Sequence, residues 1–225
     1  MQRRGIKVVH IWLSCWLYVI VAIGAVLITL LICKWDEWNW SMKMTSLATT
    51  ALICHVLEEW RFPGGFFYML NSEQNKDYPN AMNCYPMNQL TDMMTNMIPI
   101  CISFVIMLLD APYSLSLMWF YLCFTDSMGH VLLGFKTKKQ YATKGKKTIY
   151  NPGLFTSVFC FMPVFFGFVY GFIRYEMPII SDWIISIIGC AVLHVICLKV
   201  PEKLWGTPDS PYGFDWGLGY FEKFK

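Results

Sequence analysis

The sequence predicts an all-α protein: a polytopic membrane helix bundle of about six transmembrane helices, with both termini cytoplasmic. Three observations lead there: a composition too apolar for a watery surface, six long apolar runs, and a one-sided distribution of Lys and Arg. Hydrophobic residues make up 56% of the 225 and charged residues only 15%, where soluble domains carry about 25% charged. The length suits one domain. The candidate spans are Val8–Cys33, Met42–Trp60, Asn88–Leu109, Ala111–Phe135, Pro152–Ile173 and Ile179–Val200, each close to the ~20 residues that cross a bilayer. They form a single helical domain over residues 1–200, followed by a tail, residues 201–225.

The first run follows Met-Gln-Arg-Arg, as a signal peptide would. It is too long for a signal core and no small-x-small cleavage site follows it, so it reads as a retained first helix. The second span is the weakest by hydropathy, since it carries Thr45, Thr49, Thr50, His55, Glu58 and Glu59. Arg61-Phe62-Pro63-Gly64-Gly65 ends it, because Pro and Gly rarely extend a helix. Pro99 and Pro163 fall inside spans and predict kinks. Pro178 precedes the last span and Pro201 is expected to end it.

Orientation follows from charge. With the N-terminus inside, 15 of the 18 Lys and Arg fall in cytoplasmic segments, and only Lys34, Lys43 and Arg174 fall outside, which satisfies the positive-inside rule. Dropping the second span would move Lys136–Lys147 to the outside, so the count supports that span. Trp35, Trp38 and Trp40 mark the outer interface, and Trp60 and Trp205 the inner one. The place of this multi-pass chain is the cell membrane, with membrane lipids as its neighbours.

Several function classes lose support. Seven of the nine cysteines lie in apolar runs and no CxxC occurs, so they read as small buried hydrophobes and not as a disulfide framework. The loop Lys136–Lys147 holds six lysines in twelve residues. It reads as topology control, or as a contact for anionic lipid headgroups. It has no folded platform for nucleic acid. The tail is rich in Gly, Pro and aromatic residues and is expected along the inner interface.

The functional signal lies in polar residues within the spans, because a charge at the bilayer centre costs about 2.5–3.5 kcal/mol on insertion scales. His55, Glu58 and Glu59 share one face of the second helix by their i, i+3, i+4 spacing. Asn88, Asp92 and Asn96 share a face of the third, although that stripe also suits a helix start. Asp126 and His130 stand four apart on the fourth, and His194 lies near the inner end of the sixth. His10 lies at the inner start of the first. Asp110 and Asp182 sit at the outer boundary, where water reaches them. The four histidines and the remaining carboxylates thus collect in the inner half of the bilayer. Imidazoles and carboxylates from facing helices are the usual makings of a divalent-metal site for Zn, Fe or Mn. His55, Glu59, His130, Asp92 and His194 are the candidate ligands. Asn88, Asn96, Asn151 and Tyr150 are candidates for the hydrogen bonds that orient them.

His55-Val56-Leu57-Glu58-Glu59, the following Trp60-Arg61-Phe62-Pro63-Gly64-Gly65-Phe66, and Tyr150-Asn151-Pro152-Gly153 resemble motifs of the HXXEE-domain membrane proteins. A third family motif, Asn-x-x-x-His, is matched by Asp126-Ser127-Met128-Gly129-His130, with Asp in place of Asn. The resemblance covers about residues 10–200. It implies functional positions at His55, Glu58, Glu59, His130 and Asn151 and a multi-pass bacterial membrane protein, and it implies no reaction.

The chemistry so far fits a metal-dependent membrane enzyme acting on a lipid or other apolar substrate at the inner leaflet. In a hydrolytic form His55, Glu59 and His130 hold the metal, and Glu58 or Asp126 is the general base. In an oxidative form the same ligands hold iron. A proton-coupled transporter would also use intramembrane carboxylates and imidazoles, but carriers favour midplane sites and repeated halves, and no repeat is visible. A non-catalytic helper leaves the buried charges without a reason.

Overall fold

The computed structural model describes residues 2–75, 77–108, 113–175 and 177–225. Every regular element among them is helical. In chain order these are α1 (Gln2–Cys33), α2 (Trp40–Trp60), the short α3 (Phe66–Gln74), α4 (Gln89–Leu108), α5 (Tyr113–Gln140), α6 (Leu154–Arg174) and α7 (Ile180–Trp205). Four stretches are long and apolar enough to cross a membrane: Lys7–Cys33, Gln89–Met107, Leu154–Arg174 and Ile180–Trp205. The chain is therefore a membrane protein. Helices α2 and α5 have the length, at 21 and 28 residues, but are the more polar pair, and they carry the site. Lys76, Asp110 and the boundary positions Leu109 and Ala111 lie outside the described residues.

Helix α2 occupies the centre. It packs against α1, α4, α5 and α6, and its face is buried through Met44, Ala48, Ala51, Leu52, Val56 and Trp60. Asn39 starts it by accepting a hydrogen bond from the Met42 amide at 2.8 Å, an N-cap contact. Past Trp60, Gly64 and Gly65 adopt φ of 74° and 99°, which suits glycine alone, and the chain turns into α3, an element with no counterpart in the hydropathy pattern. Asn71 on α3 binds the connection to α4 through the Met82 and Met87 carbonyls and the Met87 amide.

Asn88 caps α4, accepting from the Leu90 and Thr91 amides at 3.0 and 3.1 Å, and donates to the Trp205 carbonyl at 2.8 Å. One side chain thereby ties the start of α4 to the end of α7. Pro201 does not end α7 as the sequence suggests. The helix continues to Trp205 because a π turn, Val195–Lys199, precedes the proline, and the Cys197 carbonyl, which Pro201 has no N–H to serve, accepts from Thr95 Oγ1 at 2.9 Å. Helix α6 also contains a π turn, Ser157–Phe161, just before Pro163.

The tail, residues 206–225, folds across the end of the bundle where α2 stops. Phe214 and Trp216 pack on Trp60, and Arg61 stacks on Trp216 at 4.3 Å. The Tyr220 amide donates to the Gly64 carbonyl at 3.0 Å, and a Cβ on Gly65 would fall 2.2 Å from the Leu218 carbonyl oxygen. Two glycine-bearing segments thus cross backbone to backbone. Lys146 lies buried there, donating to the Tyr150 carbonyl and the Tyr220 hydroxyl, with its ammonium 4.6 Å above the Tyr220 ring.

Candidate metal centre

Two helices each present a pair of side chains one turn apart: His55 and Glu59 from α2, Asp126 and His130 from α5. Spacing of i, i+4 puts each pair on one face, and the α2–α5 packing turns the two faces together. Glu59 Oε1 lies 3.3 Å from His55 Nε2 and 3.4 Å from His130 Nε2. Asp126 Oδ2 lies 3.6 and 3.9 Å from the same two nitrogens. The ligand atoms of His55, Asp126 and His130 all fall within 4.8 Å of one another, a grouping that could hold a metal ion. Adjacent ligands of a tetrahedral ion with bonds of about 2.1 Å stand about 3.4 Å apart. Both imidazoles and Glu59 are buried, while the Asp126 side chain is 27% exposed.

The segment after α5 organises this cluster. Asn151 precedes a proline, which favours extended backbone, and Gly153 follows with φ 96°. Asn151 Nδ2 donates to the His130 carbonyl at 2.9 Å, which leaves its Oδ1 facing His130 Nδ1 at 2.7 Å. An amide oxygen only accepts, so His130 carries its proton on Nδ1. Thr156 Oγ1 donates to Glu58 Oε2 at 2.6 Å and lies 2.9 Å from His55 Nδ1, so that nitrogen is the donor in its turn. Ser157 Oγ donates to Asp126 Oδ2 at 2.9 Å. Both Nε2 atoms face the Glu59 and Asp126 oxygens. With the imidazoles neutral these nitrogens are acceptors beside two carboxylates, an arrangement that a cation satisfies.

Gly153 makes the convergence possible. A Cβ there would fall 2.3 Å from His130 Cε1 and 2.7 Å from His55 Cε1. Phe66 and Phe161 pack against the His130 and His55 rings, at 5.3 and 5.1 Å between centroids.

The other sequence candidates fall elsewhere. Glu58 turns to the start of α6, where Gly153 has no side chain to cap the helix. It accepts from the Phe155 and Thr156 amides at 3.2 and 2.8 Å, from Thr156 Oγ1, and from the Tyr150 hydroxyl at 2.9 Å. A carboxylate there complements the N-terminal end of the helix dipole. Asp92 is buried on α4, held by Trp60 Nε1 and by Asn96 Nδ2 at 3.1 Å, and is not grouped with the two imidazoles. His194 lines an apolar cavity between α4, α5 and α7. Thr156 and Ser157 were not among the sequence candidates. Their only signal was two hydroxyls in the first turns of an otherwise apolar run.

Fold and site together define a membrane helix bundle with a buried His/carboxylate centre suited to a metal ion. The chain belongs to the family described as proteins of unknown function with an HXXEE motif, whose model matches residues 46–168. No curated protein and no solved structure matches it.

Proposed function

We propose that this chain is a metal-dependent membrane enzyme, hydrolytic in its chemistry, acting on a lipid or other apolar substrate at the inner leaflet of a bacterial cytoplasmic membrane. The observation that carries the proposal is the convergence of the His55 and His130 Nε2 atoms with the Glu59 and Asp126 carboxylates in one cluster. In this reading α2 and α5 cross the bilayer with the four apolar helices, six spans in all, and the excess of Lys and Arg on the α2-terminal side makes that side cytoplasmic. His55, His130 and Glu59 hold the ion, leaving the open position that distinguishes catalytic from structural sites. A bound divalent ion of the Zn, Fe or Mn kind would lower the pKa of water and polarise an ester carbonyl.

Asp126 then serves as the general base. It is the member of the cluster open to its surroundings, and Ser157 holds one of its oxygens in place. Glu58 acts as a positioning residue: it fixes the start of α6, and with it Asn151, Thr156 and Ser157. Asn151 and Thr156 hold the two imidazoles in the tautomer that presents Nε2.

The test is metal content. Protein purified without a polyhistidine tag is expected to hold about one divalent ion per chain by plasma mass spectrometry, and Glu59→Ala to lose it. A native protein that binds no metal after reconstitution refutes the metalloenzyme and leaves a proton relay as the better account of the buried carboxylates.

A further inference from the structure

A cavity of about 490 Å³ is walled by three helices: Thr95 and Pro99 on α4, Leu122 and Thr125 on α5, Cys190 and His194 on α7. Its size falls in the range of small-molecule sites, about 300–1,000 Å³. Three of its polar side chains are already engaged with backbone. Thr95 Oγ1 donates to the Thr91 and Cys197 carbonyls, both at 2.9 Å, Thr125 Oγ1 to the Tyr121 carbonyl at 2.8 Å, and Cys190 Sγ to the Met118 carbonyl at 3.8 Å. A polar solute entering this space would lose its hydration with little in return, whereas a hydrocarbon chain loses nothing.

The cavity also points somewhere. On α5, Leu122, Thr125 and Gly129 follow one another at i, i+3 and i+7 along a single stripe. A Cβ on Gly129 would meet no atom within 4 Å, so this stripe of α5 is open beyond Thr125. Asp126, next to Thr125 in the chain and one turn, about 6 Å, beyond Leu122, is 27% exposed, against 4% for the His55 and His130 side chains and 6% for Glu59. At the other side of the centre, the tail covers the end of α2. Asp126 thus lies within one turn of the cavity wall along α5.

We propose that this cavity is the acyl-chain site of a bilayer lipid, seated so that the lipid's ester group lies at Asp126 and the two imidazoles. The substrate class is then a lipid ester drawn sideways from the bilayer, not a water-soluble ester. This rests on the metal-enzyme reading above.

The test is carbodiimide labelling of Asp126, read by peptide mass spectrometry on chelator-treated protein, with Asp126→Asn as the blank. Dicyclohexylcarbodiimide, which partitions into apolar space, is expected to label Asp126 more than about tenfold faster than a water-soluble carbodiimide. A palmitoyl lysophospholipid is expected to slow the apolar reagent. Cys190→Trp, which fills the cavity, and Ala191→Phe, a second filling variant in case the first misfolds, are expected to slow it about tenfold or more. Faster labelling by the water-soluble reagent, or filled variants that label at the native rate, would overturn the cavity's role. Metal content of the same preparations before chelation reports separately on the metal-enzyme reading.

Discussion

Replacing Gly153 with Ala adds one carbon where two imidazoles meet. That carbon would stand 2.3 Å from His130 Cε1 and 2.7 Å from His55 Cε1, where ordinary contact begins near 3.4 Å. The His130 ring must therefore retreat by about 1 Å, several times the ±0.2 Å within which metal–ligand distances normally hold. The backbone adds a smaller penalty, since φ is 96° and a left-handed L-residue costs about 1–2 kcal/mol. The fold should survive that cost, and the centre should not. Metal affinity, measured by titration against a chromophoric chelator, is expected to fall by at least the 10–100-fold seen when ligand orientation is lost. Gly129→Ala is the control: it lies in the interior of α5 beside empty space, so it should leave affinity unchanged and stabilise the helix by about 0.5–1 kcal/mol. A Gly153→Ala protein with native metal affinity would refute the placement of the ion between the two Nε2 atoms.

Two further outcomes follow from the partners of the site. Asn151→Ala removes the acceptor that holds the proton on His130 Nδ1 and should weaken metal binding by about 10–100-fold, with α-helical content by circular dichroism unchanged. Lys146, outside the spans, is pushed down from 10.5 to about 8 by burial and by the Lys223 ammonium. Below pH 8 both folded and unfolded chains hold that proton and the penalty is complete; between 8 and 10.5 the unfolded chain holds more, so stability rises with pH. Burial and the Glu58 carboxylate raise Tyr150 above its usual value, which opposes this above about pH 10, and burial raises the Cys84 thiol, which opposes it from about pH 9. The pH 8 to 10 slope of the thermal unfolding temperature in detergent should therefore be more positive for the native protein than for Lys146→Met, and equal slopes would remove Lys146 from the account.

The chain alone determined a great deal of this. The apolar composition excludes a watery exterior, and the 3.6-residue repeat puts His55 with Glu59, and Asp126 with His130, on single helix faces whatever the fold. Capping chemistry marked the end of α2, and the Tyr150-Asn151-Pro152-Gly153 turn announced a special backbone. What i, i+4 spacing does not contain is the direction in which a face is turned. Glu58 and Glu59 are adjacent and chemically alike, yet about 100° of helix rotation sends Glu59 to the imidazoles and Glu58 to the amides of α6. Asp92 and His194 carry the right atoms at suitable depths, and neighbouring helices aim them elsewhere, Asp92 to Trp60 and His194 to the apolar cavity. The same limit hid α3, too short to show in hydropathy, and the rescue of Pro201 by Thr95, a bond between residues 102 apart. Residue type and periodicity fix what each side chain can offer, while packing between helices decides what it meets.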